Sequence, residues 1–226
     1  MSPTTYAFYK ATPTIVEWDA LPDICKDPLR IGIEPPEGRA AIKHNSKQRG
    51  FATANGIWHT CHGFIWLHRL ELNSYPKKRD IFQRNALGEL GYTLRGLLPG
   101  SADEKFPFVA EWLVAHARAL FQAKEYKKAI KQLDRARGLF PSYYPLYTVH
   151  ATIHFNEDQT GLGIEILEEG IKATGDPVGE LNYHLGLAYF KAGEIAKART
   201  HEKVARERKY PFRFLTRKLA ELDAKK

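Results

Sequence analysis

LGLAYFKAGEIAKA, residues 185–198, decides how this chain is read. It has the pattern of one helix, a tight turn at Ala192-Gly193-Glu194 and the start of a second helix. Nothing in it carries chemistry, so its value lies in whether the pattern recurs. It does. The runs YKKAIKQLDRARGLFP (126–141) and IAKARTHEKVARERKYP (195–211) share a layout, with Ala129 and Ala136 in the first matching Ala198 and Ala205 in the second, and each run ends in proline. Between them LGIEILEEGIKATGDP (162–177) has Gly163 and Gly170 at those places, offset by 34 residues from Ala129 and by 35 from Ala198. Small residues seven apart lie on nearly one face of a helix and let neighbouring helices approach closely.

A period near 34 built as helix–turn–helix and closed by proline resembles the tetratricopeptide repeat family. The resemblance covers about Ala110 to Pro211 as three repeats. It rests on Leu185, Gly186, Tyr189, Ala198 and Ala205 in the third repeat and on Ala117, Leu120, Ala129, Leu133, Ala136 and Pro141 in the first. The second keeps Ala151 and Leu167 but has His150, His154 and Gly163 where Leu, Tyr and Ala are usual. After Pro211, Leu215, Leu219 and Leu222 recur at helical spacing, which suits a helix capping the last repeat. The expected fold is therefore mainly α: a right-handed helical-hairpin solenoid of about three repeats plus a capping helix over 107–226.

The first hundred residues differ. Residues 1–50 carry prolines at 3, 13, 22, 28, 35 and 36 and read as an irregular, extended segment, in which TYAFYK and TIVEW suit short strands or arms. Residues 51–106 predict a helical hairpin that stacks on the first repeat, with the segment before it wrapped over. One stripe is Ile57, Trp58, Cys61, Ile65, His68 and Leu72; the other is Ile81, Leu87, Leu90, Leu94 and Leu97 or Leu98.

With 226 residues, 43% hydrophobic and 27% charged, the chain suits a soluble globular protein with a sizeable core. It has no run of 18 apolar residues and no basic-then-apolar secretory signal at its start. Cys25 and Cys61, the two cysteines, could pair, but nothing suggests a disulfide framework, and a reducing cytoplasm is the simpler expectation.

Catalytic signatures are missing: the sequence contains no phosphate-binding glycine loop, no nucleophile elbow and no H-E-x-x-H. The run WHTCHGFIWLH (58–68) concentrates histidines, but at about 100° per residue His59 and His62 share a face while His68 lies well away, so one helix cannot bring three ligands to one ion. His150 and His154 occupy packing positions of the repeat and predict a buried, hydrogen-bonded role. The sequence thus predicts no enzyme, no cofactor and no metal.

In the family, the first helices of successive repeats line a groove that takes an extended peptide or a partner's helix. Carried over position by position, the resemblance implies that Val114, Arg118 and Phe121 face it in the first repeat, with Thr148, Thr152, Phe155 and Asn156 in the second. Tyr183, Leu187, Phe190 and Lys191 face it in the third. Phe121, Phe155 and Phe190 stand at one equivalent position. Either a partner's apolar side chains meet them, or the N-terminal segment or capping helix fills the groove. The Lys and Asn clamp by which some members hold a terminal carboxylate is replaced by Val114, Arg118, Val149 and Thr152, so chaperone tails are not expected partners.

The net charge of +8 offers an alternative. From Lys191 to Lys226 there are twelve Lys/Arg against five Asp/Glu, a bias toward nucleic acid, an acidic protein or anionic lipid. For nucleic acid the phosphate contacts would be Lys203, Arg206, Arg208, Lys209, Arg213, Arg217 and Lys218.

Overall fold

The computed structural model describes residues 19, 21–25, 57–73, 75–175 and 178–224, with the side chains of 57 and 58 excepted. The expected strands or arms of residues 1–18 and the loop of 30–50 lie outside the described residues. The helices are α1 (Ile57–Glu71), α2 (Arg79–Gly96), α3 (Pro107–Gln122), α4 (Tyr126–Leu139), α5 (Pro145–Asn156), α6 (Thr160–Thr174), α7 (Gly179–Lys191), α8 (Ile195–Glu207) and α9 (Phe214–Asp223). No strand occurs among the described residues. The chain is helical hairpins in series, the fold class its sequence implies.

The turn read at Gly193 is the local reason for that series. Lys124, Asp158 and Gly193 stand at matched places and have φ of 59°, 59° and 80°. In each turn the next residue's N–H donates back to the helix just ended: Glu125 to Leu120 O, Gln159 to His154 O and Glu194 to Tyr189 O, all at 2.9 Å. The same residues then accept the first bonds of the following helix, from Ala129, Gly163 and Ala198. One backbone motif therefore caps one helix and begins the next three times over. Proline at the start of α3 and α5 is cheap, because the first helical N–H has no partner in any case.

Contacts divide the chain into two units, one ending at Gln132 and one beginning at Leu133, within α4. In the first unit α3 packs against both α1 and α2. Its core is Cys61, Ile65, Leu67 and Leu70 of α1, Phe82, Ala86, Leu90 and Leu94 of α2, and Trp112 and Leu113 of α3. Gly63 admits Leu90, whose Cγ lies 2.6 Å from where a Cβ would sit, and Trp66 meets Phe82 with ring centroids 5.6 Å apart. The two expected stripes are corrected at Leu72 and Ile81, which are exposed, whereas Leu70 and Phe82 are buried in their stead; of the alternatives Leu97 and Leu98, Leu97 is the buried one. A helix end has fewer neighbours than its middle, and Leu72 follows the last residue of α1 while Ile81 stands in the first turn of α2.

A second correction concerns the cysteines. Cys25 and Cys61 form a disulfide, both sulfurs fully buried, with Leu21 and Ile24 buried beside them. The turn that ends in Cys25, closed by its N–H on Pro22 O at 2.8 Å, is thereby tied to α1. Two cysteines 36 residues apart give no pairing signal in sequence; only the fold brings them together.

In the second unit the small residues do what their spacing implies. Ala198 and Ala205 are buried, as are Gly163 and Gly170, and in the first-repeat copy so are Ala129 and Ala136. The glycines go further than alanine would. A Cβ on Gly170 would stand 2.6 Å from Tyr147 Cγ, and one on Gly163 2.2 Å from Phe155 Cε1. Each lets an aromatic ring of α5 lie directly on the α6 backbone. Helix α9 closes the unit by burying Leu215 and Leu219, with Leu215 Cδ2 2.7 Å from a Cβ built on Gly186. Leu222 is half-buried. No helix among the described residues is long and apolar enough to cross a membrane.

Candidate functional site

The first helices of the second unit's two hairpins, α5 and α7, touch one another. On α5, Thr148 is buried and donates to Pro145 O at 3.0 Å, while Thr152 is exposed and donates to Thr148 O at 2.7 Å. Such back-bonding turns the hydroxyl into the helix and presents the methyl group. Phe155 is half-buried over Gly163 and Asn156 is exposed at the helix end. On α7, Leu187 and Phe190 are half-buried and Lys191 is exposed. The pairs Thr152 and Leu187, Phe155 and Phe190, and Asn156 and Lys191 hold equivalent places on the two helices. Tyr183 departs from this set: it is buried, with its ring 5.0 Å from Tyr210 and 6.0 Å from Phe212.

The first unit holds the remaining candidates. Val114 is buried, and Arg118 is half-buried and bound through two guanidinium nitrogens to the Glu71 carboxylate of α1, with Nε to Oε1 at 2.8 Å. Phe121 is half-buried, its ring 5.7 Å from Tyr126. A bidentate Arg–carboxylate pair fixes Arg118 in place rather than leaving it as a lone charge.

The histidines have partners of their own. His59 Nδ1 lies 2.7 Å from Glu89 Oε2, and its ring is 4.1 Å from that of Tyr92; His62 is buried in the core. His150 stacks on His154 with centroids 5.0 Å apart, and burial first, then its electrostatic interaction with His154, pushes its pKa down to about 4. His154 Nδ1 meets Gln159 Oε1 at 2.7 Å, so only one of the two histidines is hydrogen-bonded as expected. The Nδ1 of His150 is buried and has no hydrogen-bond partner among the described residues. His201 Nδ1 lies 2.9 Å from Asn182 Oδ1, and its ring stacks on Tyr189. The Tyr189 phenol donates to Glu168 Oε1 at 2.6 Å and is pushed up to about 12, by burial first and by that bond second. Among the described residues no group of three or more His, Cys, Asp or Glu is placed to hold a metal ion.

The cations expected for nucleic acid are spread over α8, the α8–α9 connection and α9. Lys203 pairs with Glu207 at 3.9 Å, Arg206 with Glu202 at 3.7 Å and Lys218 with Glu221 at 2.8 Å. Arg213 donates to Tyr210 O, and Arg217 lies near enough to Tyr183 to lower its phenol's pKa against the opposing effect of burial. Arg208 and Lys209 are exposed at the end of α8. Sequence reasoning missed the aromatic residues that sit among these cations, Tyr210, Phe212 and Phe214. Their signal, three rings in five residues, was present but lay between the alanine pattern of one helix and the leucine pattern of the next.

No protein-family model matches the chain, and no curated protein matches it either. Solved structures do. The structure described as the MamA RS-1 ArsTM double mutant matches with a TM-score of 0.52 and 16% identity, covering 85% of this chain and 94% of that one. The chain resembles MamA in fold. Two further crystal structures of MamA match with TM-scores of 0.49 and 0.47 at 20% and 19% identity, covering 83% and 77% of this chain and 95% and 94% of theirs.

Proposed function

We propose that this chain is a non-catalytic interaction scaffold of the tetratricopeptide type, an adaptor that holds a peptide or partner subunit against α5 and α7, the first helices of the second unit's hairpins. The observation that carries the reading is the division of labour on α5 and α7. One side of these helices is taken up by packing, with Tyr147 on Gly170 and Gly186 under Leu215. The equivalent places left over carry half-buried Phe155, Leu187 and Phe190 beside exposed Thr152, Asn156 and Lys191. Apolar anchors flanked by polar groups that fix register are what a helix-in-groove or extended-peptide partner needs.

The test uses exposed positions, so that binding is lost without loss of fold. Native lysate is passed over the wild-type chain and over an Asn156→Glu/Lys191→Glu variant, and recovered proteins are compared by mass spectrometry. A partner set bound by wild type and missing from a variant with unchanged helical circular dichroism supports the scaffold. An identical set from both overturns the assignment of this face.

A further inference from the structure

The corner between α8 and α9 presents a combination that the scaffold reading does not use. From Arg208 to Ala220 the sequence RKYPFRFLTRKLA has five Lys/Arg and no Asp or Glu. Phe212 is 61% exposed and Phe214 47% exposed, on either side of Arg213. We propose that this corner is a docking surface for an anionic lipid bilayer, with Phe212 and Phe214 entering the interfacial region and Lys209, Arg213 and Arg217 meeting headgroup phosphates.

The corner is built rather than loose. Tyr183, Tyr210 and Phe212 form a triangle of rings 5.0, 5.4 and 6.0 Å apart. The N–H of Tyr210 donates to Ala205 O at 3.0 Å, and the Arg213 guanidinium donates to Tyr210 O. Arg208 and Tyr210 lie against Gly179 at the start of α7, their Cβ atoms 3.1 and 3.2 Å from a Cβ built there. Below it α9 is anchored by Leu215 and Leu219. The two phenylalanines are therefore held out by a packed base, as a pair of exposed rings flanking one arginine. The acids around the corner include Glu180, Glu202, Glu207 and Glu221: Glu202 accepts from the Thr216 hydroxyl at 2.7 Å and lies 3.7 Å from Arg206, Glu207 and Glu221 lie against Lys203 and Lys218, and Glu180 lies near Tyr144 and Tyr210.

Charge complementarity and ring chemistry choose the occupant. Phenylalanine carries no polar group, so burying its ring at the acyl boundary leaves no hydrogen bond unmade. Arginine and lysine beside such rings reach the phosphates with their heads while their stems stay with the apolar layer. A nucleic-acid track would continue along α8, but there Lys203 and Arg206 are paired with Glu207 and Glu202. The cation run ends at the corner, a footprint that fits a two-signal bilayer contact, part apolar and part electrostatic.

The experiment is flotation of the full chain with vesicles of phosphatidylcholine alone and of phosphatidylcholine mixed with phosphatidylglycerol. Binding is expected to the mixed vesicles only and to weaken as salt is raised. A Phe212→Ala/Phe214→Ala variant, confirmed folded by circular dichroism and unfolding midpoint, should lose partitioning by a factor on the order of ten to a hundred, the worth of burying two rings in part. Arg213→Ala/Arg217→Ala should lose it comparably at low salt. The Asn156→Glu/Lys191→Glu variant should bind vesicles as wild type does, which separates this proposal from the scaffold reading. No binding, equal binding to neutral vesicles, or full binding by the phenylalanine variant overturns it. So does a single-stranded oligonucleotide that binds at low salt and displaces the vesicles, an outcome that gives the corner to nucleic acid.

Discussion

His150 sits where this repeat pattern usually has leucine, and the structure makes it behave as one. The residue is 4% exposed and its pKa is pushed down to about 4, chiefly by burial. An unfolded histidine takes a proton as pH falls through about 6.5, whereas the folded one resists until about 4. Stability is therefore complete at neutral pH and is lost across that window, by about 3 kcal/mol at its lower end. Urea unfolding at pH 7 and pH 4.5 should show the loss, and His150→Leu should remove the His150 share of it while keeping stability at pH 7, leaving the share of His116, which burial likewise pushes down to about 4. Glycine is the other informative residue. Gly170→Ala drives a Cβ against the root of a Tyr147 side chain that is buried and donates to Pro141 O at 2.8 Å, so neither partner yields easily. It should cost about 1–3 kcal/mol despite the better helix former. Gly88→Ala, in α2 with nothing within 4 Å, should instead stabilise by up to about 1 kcal/mol, and chemical unfolding of the two variants distinguishes the signs. Both glycines look alike in sequence; what faces them does not.

Elements tell a similar story about legibility. The spacing of Ala129, Gly163 and Ala198 revealed the hairpins, and Gly193 marked one turn, but Lys124 and Asp158 adopt the same left-handed turn without the glycine that announces it. Their conformation is imposed by the helices they join, which outweighs the local preference of a single residue. Helix α9 was legible as a cap from its leucines, and its contribution is measurable. Leu215 is fully buried against Gly186, so Leu215→Ala should cost about 2–5 kcal/mol and raise binding of a hydrophobic dye in thermal scans. A much smaller loss would mean that the cap contributes little to the hairpin beneath it. The candidate face on α5 and α7 was readable only as register: sequence named Thr152, Phe155, Asn156, Leu187, Phe190 and Lys191, while the seating of Phe155 on Gly163 depends on a neighbouring helix.

For the whole molecule, the decisive long-range link is the disulfide from Cys25 to Cys61. Closing a loop of 36 residues restricts the unfolded chain, a constraint worth about 4 kcal/mol in the chain-entropy account. A reductant should lower the unfolding midpoint accordingly, and mass spectrometry after alkylation should count two new thiols only once reductant and denaturant are both present. Two labelled thiols in the untreated folded chain would contradict the pairing. The sequence by itself determined the hairpin repeat, its period and the small residues that let helices meet, because these follow from local periodicity written along one segment. Only the tertiary structure decided that the cysteines pair, that Leu70 and Phe82 rather than Leu72 and Ile81 are buried, and that Phe212 and Phe214 stand out among cations. Each of those outcomes depends on which distant surface arrives opposite a residue, and periodicity along a single helix does not encode that.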